Sequence, residues 1–416
     1  MPTSRPVLHT IRQPGQALRR NRQLSAGIVQ LIFIAVAFAA GLAAPEIDAG
    51  FTVQGEDARA FLIAIGAGIL PFIGIVYSLL FLVVQFGTTT FTPRLNIFRD
   101  SPIIYYSFAY FVGLLVFCFT AAFALGSDDE VSGAIPIITL GLLLIALVLF
   151  RALQTSAFRS IQLAAALSQV ASRGRAVILG IYPDELDEAS AEQELHADWR
   201  AKTPTGVREV RWSGLSAVLQ VIDVPRLMKV AERENALIEC RVGTGDTISE
   251  CGVVALIHGE ADGQLEREVL KSLRAGAERT FEQDPAFAFR VLADIALRAL
   301  SPAVNDPTTA SQALDTSDGL LRLLATRDLD VGCLRGPEGQ PRVVLLLPAW
   351  DGYVGLALDE VLSIGLRSFQ IRRRLERLLA ELHQLVPPAR RAAIEHRLER
   401  VRAAPAQDPA TPAGQG

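Results

Sequence analysis

Between residues 290 and 308 the chain sets Arg290, Asp294 and Arg298 four residues apart, followed by Ser301, Asn305, Asp306 and Thr308. On a helix, that spacing puts both arginines and the aspartate on one face. If exposed, the ladder is a pairing worth about a few tenths of a kcal/mol per pair. If enclosed, its guanidinium groups could hold a loop or an anion. Ser301-Pro302 and Asn305-Asp306-Pro307 then interrupt the helical pattern. Asp306 suits an N-cap and Pro307 the first helical position. The helix N-terminus beyond offers amide donors to Thr308 or to an anion. These seven residues are candidates for a rigid polar corner at a functional surface. A plain helix-turn-helix junction is the alternative.

Other reactive chemistry is sparse. Histidines stand at 9, 196, 258, 383 and 396 with no recurring partner. No HExxH, P-loop, Ser-His-Asp order or zinc-ligand spacing occurs. Cys118, Cys240, Cys251 and Cys333 form no CxxC pair, so no disulfide framework is indicated. "GTGD", Gly243 to Asp246, lacks the phosphate-loop pattern and reads as a turn. Cys240 and Cys251 flank it and are expected to face each other across strands as reduced thiols. "VGTGDTISECGVVAL" resembles the strand-turn-strand of biotinyl and lipoyl carriers, but it holds no lysine to modify. No catalytic residue, metal or cofactor is expected.

The elements that must position the corner read as follows. Asp284-Pro285 caps the helix carrying the arginine ladder, whose other face is Phe287, Val291, Ile295 and Ala299 or Leu300. A second helix begins at Asp306-Pro307. "RVVLLLPAW" reads as a buried strand, and residues 358–385 as one long amphipathic helix. Ile371, Leu375, Leu378, Leu382 and Leu385 recur at four-three spacing there, for core packing or, alternatively, homo-oligomer contact. A charged helix follows Pro387-Pro388. Upstream, "GVREVRWSGLSAVLQVID" alternates like a strand region, and "DVPRLMKVAEREN" is a short helix capped by Asp223. "ALIECRVGTGDTISECGVVALIHG" reads as a hairpin, and "DGQLEREVLKSLRAGAERT" as one helix. The acidic stretch 184–206, with a solvated His196, reads as a connector.

The chain has 416 residues, half of them hydrophobic, with 20% charged and a net charge of -4. Its mean hydropathy is +0.32. That is too apolar for an ordinary soluble protein. Four stretches are long enough to span a bilayer: Ser25–Ala44, Ala60–Phe86, Ile103–Leu125 and Gly133–Leu153. Each interior lacks Asp, Glu, Lys, Arg and His, and a mid-membrane charge would cost about 2.5–3.5 kcal/mol. "AFAAGLAAPE" looks like a signal-peptidase site, but the basic leader and the apolar run are too long for a signal peptide. No intramembrane carboxylate or histidine offers a proton relay.

Loop charges alternate. Arg5, Arg12, Arg19, Arg20 and Arg22 precede the first stretch without an acid. The first loop carries Glu46, Asp48, Glu56 and Asp57 against Arg59. The second carries Arg94 and Arg99 with Asp100, and the third, "GSDDEV", only acids. Arg151 stands at the end of the fourth stretch, and Arg159, Arg173 and Arg175 follow it. The positive-inside rule then places both ends of the chain in the cytoplasm of a bacterial inner membrane. The expected organisation is a basic segment (1–24), a four-helix transmembrane domain (25–153), a membrane-proximal helix (154–176), a cytoplasmic α+β domain (177–403) and a disordered tail (404–416).

"RTFEQDPAFAFRVLADIALRALSPAVNDPTTA" is similar to the most characteristic segment of a bacterial predicted-membrane-protein family of unknown function, domain of unknown function 2254. "FTPRLNIFRDS", "SIQLAAALSQVASRGRAVILGIYP" and "ALIECRVGTGDTISECG" resemble its other segments. The resemblance covers most of residues 25–385. It implies four spans and a large cytoplasmic domain, and supplies no activity. The family often carries paired histidines after the fourth span, where this chain has "LQTSAFRS".

Three functions compete: a pore or transport-related protein with a cytoplasmic regulatory domain, a membrane-anchored cytoplasmic sensor or scaffold, and, least favoured, a membrane-bound enzyme. The lipid bilayer is the expected partner, and no nucleic acid is expected.

Overall fold

A computed structural model describes residues 16–47, 50–90, 102–126, 129–186, 206–260 and 262–404. "FTPRLNIFRDS", His9, His196 and most of the acidic connector lie outside them. Contacts divide the chain into Pro14–Ala166 and a unit that takes in Leu167 onward. The first is helical and the second mixes helices with sheet.

In the first unit, helix α1 (Gln16–Leu42) leads to strand β1 (Thr52–Gln54), and helix α2 (Gly55–Thr90) follows directly. Next come α3 (Pro102–Ala124), strand β2 (Glu130–Ser132) and α4 (Ala134–Ile161). Three helices are long and apolar enough to span: Gly55–Leu82, Ile103–Ala124 and Ala134–Arg159. The expected first span falls on α1, whose described apolar part, Gly27–Leu42, is shorter. Its rise of about 24 Å is less than the ~30 Å hydrocarbon core. Small residues let α1 and α3 approach closely: a side chain at Gly41 would overlap Thr120, and Gly113 faces the Phe33 carbonyl. Strands β1 and β2 pair antiparallel, Val53 opposite Val131. That pairing brings the ends of the first and third loops together, which requires α2 and α3 to run out and back between them.

The second unit takes in most of α5 (Leu163–Ile181). Gly174 lies inside this helix. A side chain there would come within 2.7 Å of Ala288, so its smallness serves packing. Strands β3 (Val207–Arg211), β4 (Ala217–Ile222), β5 (Leu237–Cys240), β6 (Thr247–Ile248), β7 (Val253–His258) and β8 (Leu273–Gly276) follow, with helix α6 (Val224–Arg233) after β4 and α7 (Gly263–Lys271) after β7. Helices α8 (Pro285–Ala299) and α9 (Pro307–Ala325) come next. Then come strands β9 (Cys333–Arg335) and β10 (Pro341–Val344), and helices α10 (Trp350–Gly365), α11 (Phe369–Leu385) and α12 (Pro388–Ala403). One sheet has the order β3-β7-β5-β10-β9, the other β6-β4-β8. Leu219, Leu227, Ile238, Val254, Ile257 and Val343 are buried in their shared core.

Three local expectations change. The hairpin exists as antiparallel β5 and β7, but the excursion between them carries β6 to the other sheet, against β4. Cys240 therefore lies opposite Ala255, while Cys251 sits exposed in a turn at φ 58. The two thiols do not face each other. Burial, then the Glu239 charge, pushes the Cys240 thiol up to about 12. The stretch read as one helix from Asp262 becomes α7 and then β8, because Leu273 to Gly276 complete the edge of β4. The long helix over 358–385 is two, α10 and α11, because the chain turns through Leu366 to Ser368 and lays Ile371 against Gly365. Ile371, Leu375, Leu378 and Leu382 are fully buried, so in this fold that stripe is core, while Leu385 is exposed.

Arginines lock the helices. Arg390 is 2% exposed and donates to the carbonyls of Leu324, Ala325 and Arg327, so it closes the C-terminus of α9. Arg397 joins α12 to Asp351 and Asp359 of α10. Arg374 joins α11 to Asp315 and Asp318 of α9.

Candidate functional site

Helix α8 carries the arginine ladder where the spacing put it. Arg290 binds Asp294 at 2.9 Å and reaches Glu360 of α10. It is thus an interhelical tie. The chain then leaves α8 through Leu300 and turns back. Asn305 donates its amide to Ser301 and adopts φ 47, a left-handed conformation that asparagine tolerates. Asp306 caps α9, accepting from the amides of Thr308 (3.1 Å) and Thr309 (3.0 Å) and from the Thr309 hydroxyl (2.6 Å). Those bonds, the hydroxyl first, hold its carboxyl below the ordinary range. Pro302, Ala303, Val304, Asn305 and Thr308 are exposed. The seven residues therefore run from one helix into the next, with Arg290, Asp294 and Arg298 on α8, Ser301 and Asn305 in the turn, and Asp306 and Thr308 at the start of α9.

A second place gathers residues from segments far apart in sequence. An apolar pocket is lined by Gly180, Ile181 and Pro183 from the end of α5, by Ile222, Val224 and Pro225, and by Val331, Leu334 and Leu345 to Leu347. Its two polar side chains, Thr244 and Gln283, are already bonded. Thr244 donates to the Gln283 carbonyl at 2.7 Å. The Gln283 amide accepts from the Ile222 amide at 2.9 Å and donates to the Ile222 carbonyl at 3.1 Å. A wall whose polar atoms bond one another offers dispersion and desolvation to a ligand, not directed bonds.

Beneath the pocket lies a charged junction. The Gly243–Asp246 turn is closed by the Gly243 amide on the Asp246 carboxylate at 2.8 Å. It docks on the segment entering α8. Asp284 caps that helix through the Phe287 amide at 3.0 Å and pairs with Arg279 at 2.7 Å. Asp284 is 2% exposed, and its burial raises its carboxyl above the ordinary value although Arg279 opposes the shift. Alongside, the hydroxyls of Tyr182 and Tyr353 meet at 2.8 Å with both side chains fully buried. Burial pushes Tyr182 up to about 12. Tyr353 is raised well above its usual value, by burial first, then by Tyr182 and by the charge of Asp284.

Sequence reading found Asp284 and the "GTGD" turn, because caps and turns are local. It missed Gly180, Tyr182, Gln283 and the pocket. Nothing in the spacing of residues 180, 222, 244, 283 and 345 marks them as neighbours. The available signal was indirect: "GIYP", "VGTGD" and "EQDP" each fall in a segment with the family resemblance, and each supplies one wall. A buried pair of Glu239 and His258, 3.0 Å apart across β5 and β7, also escaped notice. Among the described residues no His, Cys, Asp and Glu group is arranged to hold a metal.

The family model DUF2254, described as "Predicted membrane protein", matches residues 24–381. An uncharacterized protein of Mycobacterium bovis is 30% identical over 358 residues, 82% of this chain and 66% of its own length. An uncharacterized protein of Mycobacterium tuberculosis matches with the same figures. The match thus spans just under two thirds of the length of these curated relatives. No solved structure matches.

Proposed function

The chain belongs to the DUF2254 family of predicted membrane proteins, and from that premise we propose that it is a membrane-anchored sensor whose C-terminal unit binds a small apolar ligand. One observation carries this reading: the pocket walls come from α5, both sheets and the segment entering α8, and every polar side chain in them is already bonded. Gln283 lies in the wall and its neighbour Asp284 caps α8, so a ligand that moves the wall acts on a helix end. Tyr182, next to Ile181 and Pro183 of the wall, is bonded to α10 through Tyr353. The expected effect is a shift between two packings of α8 and α10 on filling of the pocket.

In this reading the apolar helices anchor the chain in a bacterial inner membrane. Helix α1 adds a fourth crossing, and the C-terminal unit is cytoplasmic. The support is the charge alternation of the loops together with the β1–β2 pairing, which joins the acidic first and third loops. A pore or carrier is less supported, since the apolar interiors of the spanning helices offer no carboxylate or histidine relay.

The test uses the full chain, delipidated in detergent, and an uncharged apolar fluorophore such as diphenylhexatriene as probe. Gly180 lines the pocket, and a Cβ added there meets no atom within 4 Å, so the first atom of a larger side chain has room. Gly180→Phe should therefore fill the pocket without unfolding the chain. It should weaken probe binding about tenfold or more at an unchanged unfolding midpoint. Equal binding by both forms overturns the reading. Solute flux through liposomes holding the pure protein would instead favour transport.

A further inference from the structure

We propose that the end of the helix bundle where the α8–α9 and α10–α11 corners meet is a docking surface for an anionic phospholipid bilayer. The two corners lie side by side because α8 and α10 run the same way. Phe289 packs on Tyr353 with ring centroids 5.8 Å apart, Arg290 pairs with Glu360, and Leu300 lies 3.3 Å from where a side chain on Gly365 would begin. Both helices end there, and apolar side chains in the turn after α8, in the last turn of α10 and at the start of α11 point outward. Val304 is 53% exposed, Ile364 48% and Phe369 61%. Pro302 and Ala303, beside Val304, are exposed as well. Core packing gives these residues no reason to be apolar, and large side chains gathered at a tip mark a contact surface.

The charges around the tip are cationic. Arg367 and Arg373 are exposed and Arg298 is half-buried. Arg298, Arg367 and Arg373 outnumber the acids left unbalanced near the two corners: Asp306 stays anionic at the start of α9, and Asp294 and Glu360 share the single charge of Arg290. An apolar tip inside an arginine rim fits the headgroup region of an anionic bilayer: the tip enters the acyl boundary and the arginines meet phosphates. A second copy of this face fits less well, since a symmetric contact would set Arg367 and Arg373 against their own kind. The inference does not depend on the apolar pocket.

The test is amide hydrogen exchange on the full chain in nanodiscs of phosphatidylcholine alone or mixed with phosphatidylglycerol. Residues 301–305 and 364–371 should exchange more slowly in the anionic discs, and high salt should erase the difference. An arginine near an anionic surface contributes a factor of about five in binding, so the triple variant Arg298→Gln, Arg367→Gln, Arg373→Gln should lose the difference. Val304→Ser with Phe369→Ser should reduce it while exchange within α8 and α10 stays unchanged, which shows the fold intact. Equal exchange in the two kinds of disc overturns the proposal. So does protection that follows protein concentration instead of lipid charge, the signature of self-association.

Discussion

Gly245 stands directly against the buried carboxylate of Asp284: a methyl group at Gly245 would overlap Asp284 Oδ2 and lie 2.7 Å from the Arg279 guanidinium nitrogens. The same glycine holds φ 93, a conformation that L-residues with a side chain avoid. Its amide donates to the Leu219 carbonyl at 2.8 Å, so the turn cannot swing away cheaply. Gly245→Ala should then cost about 2 kcal/mol or more, from backbone strain and from displacing the ion pair. A thermal unfolding midpoint unchanged from the parent chain would refute this account of the junction.

Asp284 makes the junction pH-dependent. Its carboxyl is raised above the ordinary 3.8 by burial, so the folded chain binds this proton more readily than the unfolded chain. Stability contributed by the group is then fully present at low pH and falls as pH rises from 3.8 through the raised value. Asp284→Asn keeps a capping side chain and removes the titration. The variant should lack that acidic decline, visible as a difference between the two plots of unfolding midpoint against pH. Parallel plots would mean that Arg279 compensates the burial fully.

Tyr182 and Tyr353 should behave as a unit. Tyr353→Phe leaves the Tyr182 hydroxyl buried without this partner, at a cost of about 1–3 kcal/mol. Removing both hydroxyls strands neither, so the double Phe variant should be more stable than the sum of the single changes predicts. Strict additivity in calorimetry would show that the hydroxyls do not depend on each other.

The polar corner separates into a structural and a functional part. Asp306→Ala removes three bonds at the start of α9 and should cost about 1 kcal/mol. Asn305→Gly should be tolerated, because φ 47 suits glycine, while Asn305→Val should destabilise. If the corner serves function, replacing Asn305 and Asp306 by Ala disturbs activity or binding more than melting. A proportional loss of both makes it a junction only.

The sequence by itself determined what neighbouring residues decide. Asp223, Asp284 and Asp306 cap helices where their positions suggest, each bonding an amide two or three residues on. The apolar runs and the arginine spacing of α8 were legible for the same reason: helix periodicity and capping are set within a turn or two. Only the tertiary structure decided that Ser272 ends one helix so that Leu273 to Gly276 can join β4, and that residues 358–385 break at Gly365 to Ser368. It alone brought Gly180, Thr244, Gln283 and Leu345 around one pocket, and Tyr182 to Tyr353 across 171 residues. Burying apolar faces from distant segments rewards any pairing that excludes water, and no local spacing records which pairing wins.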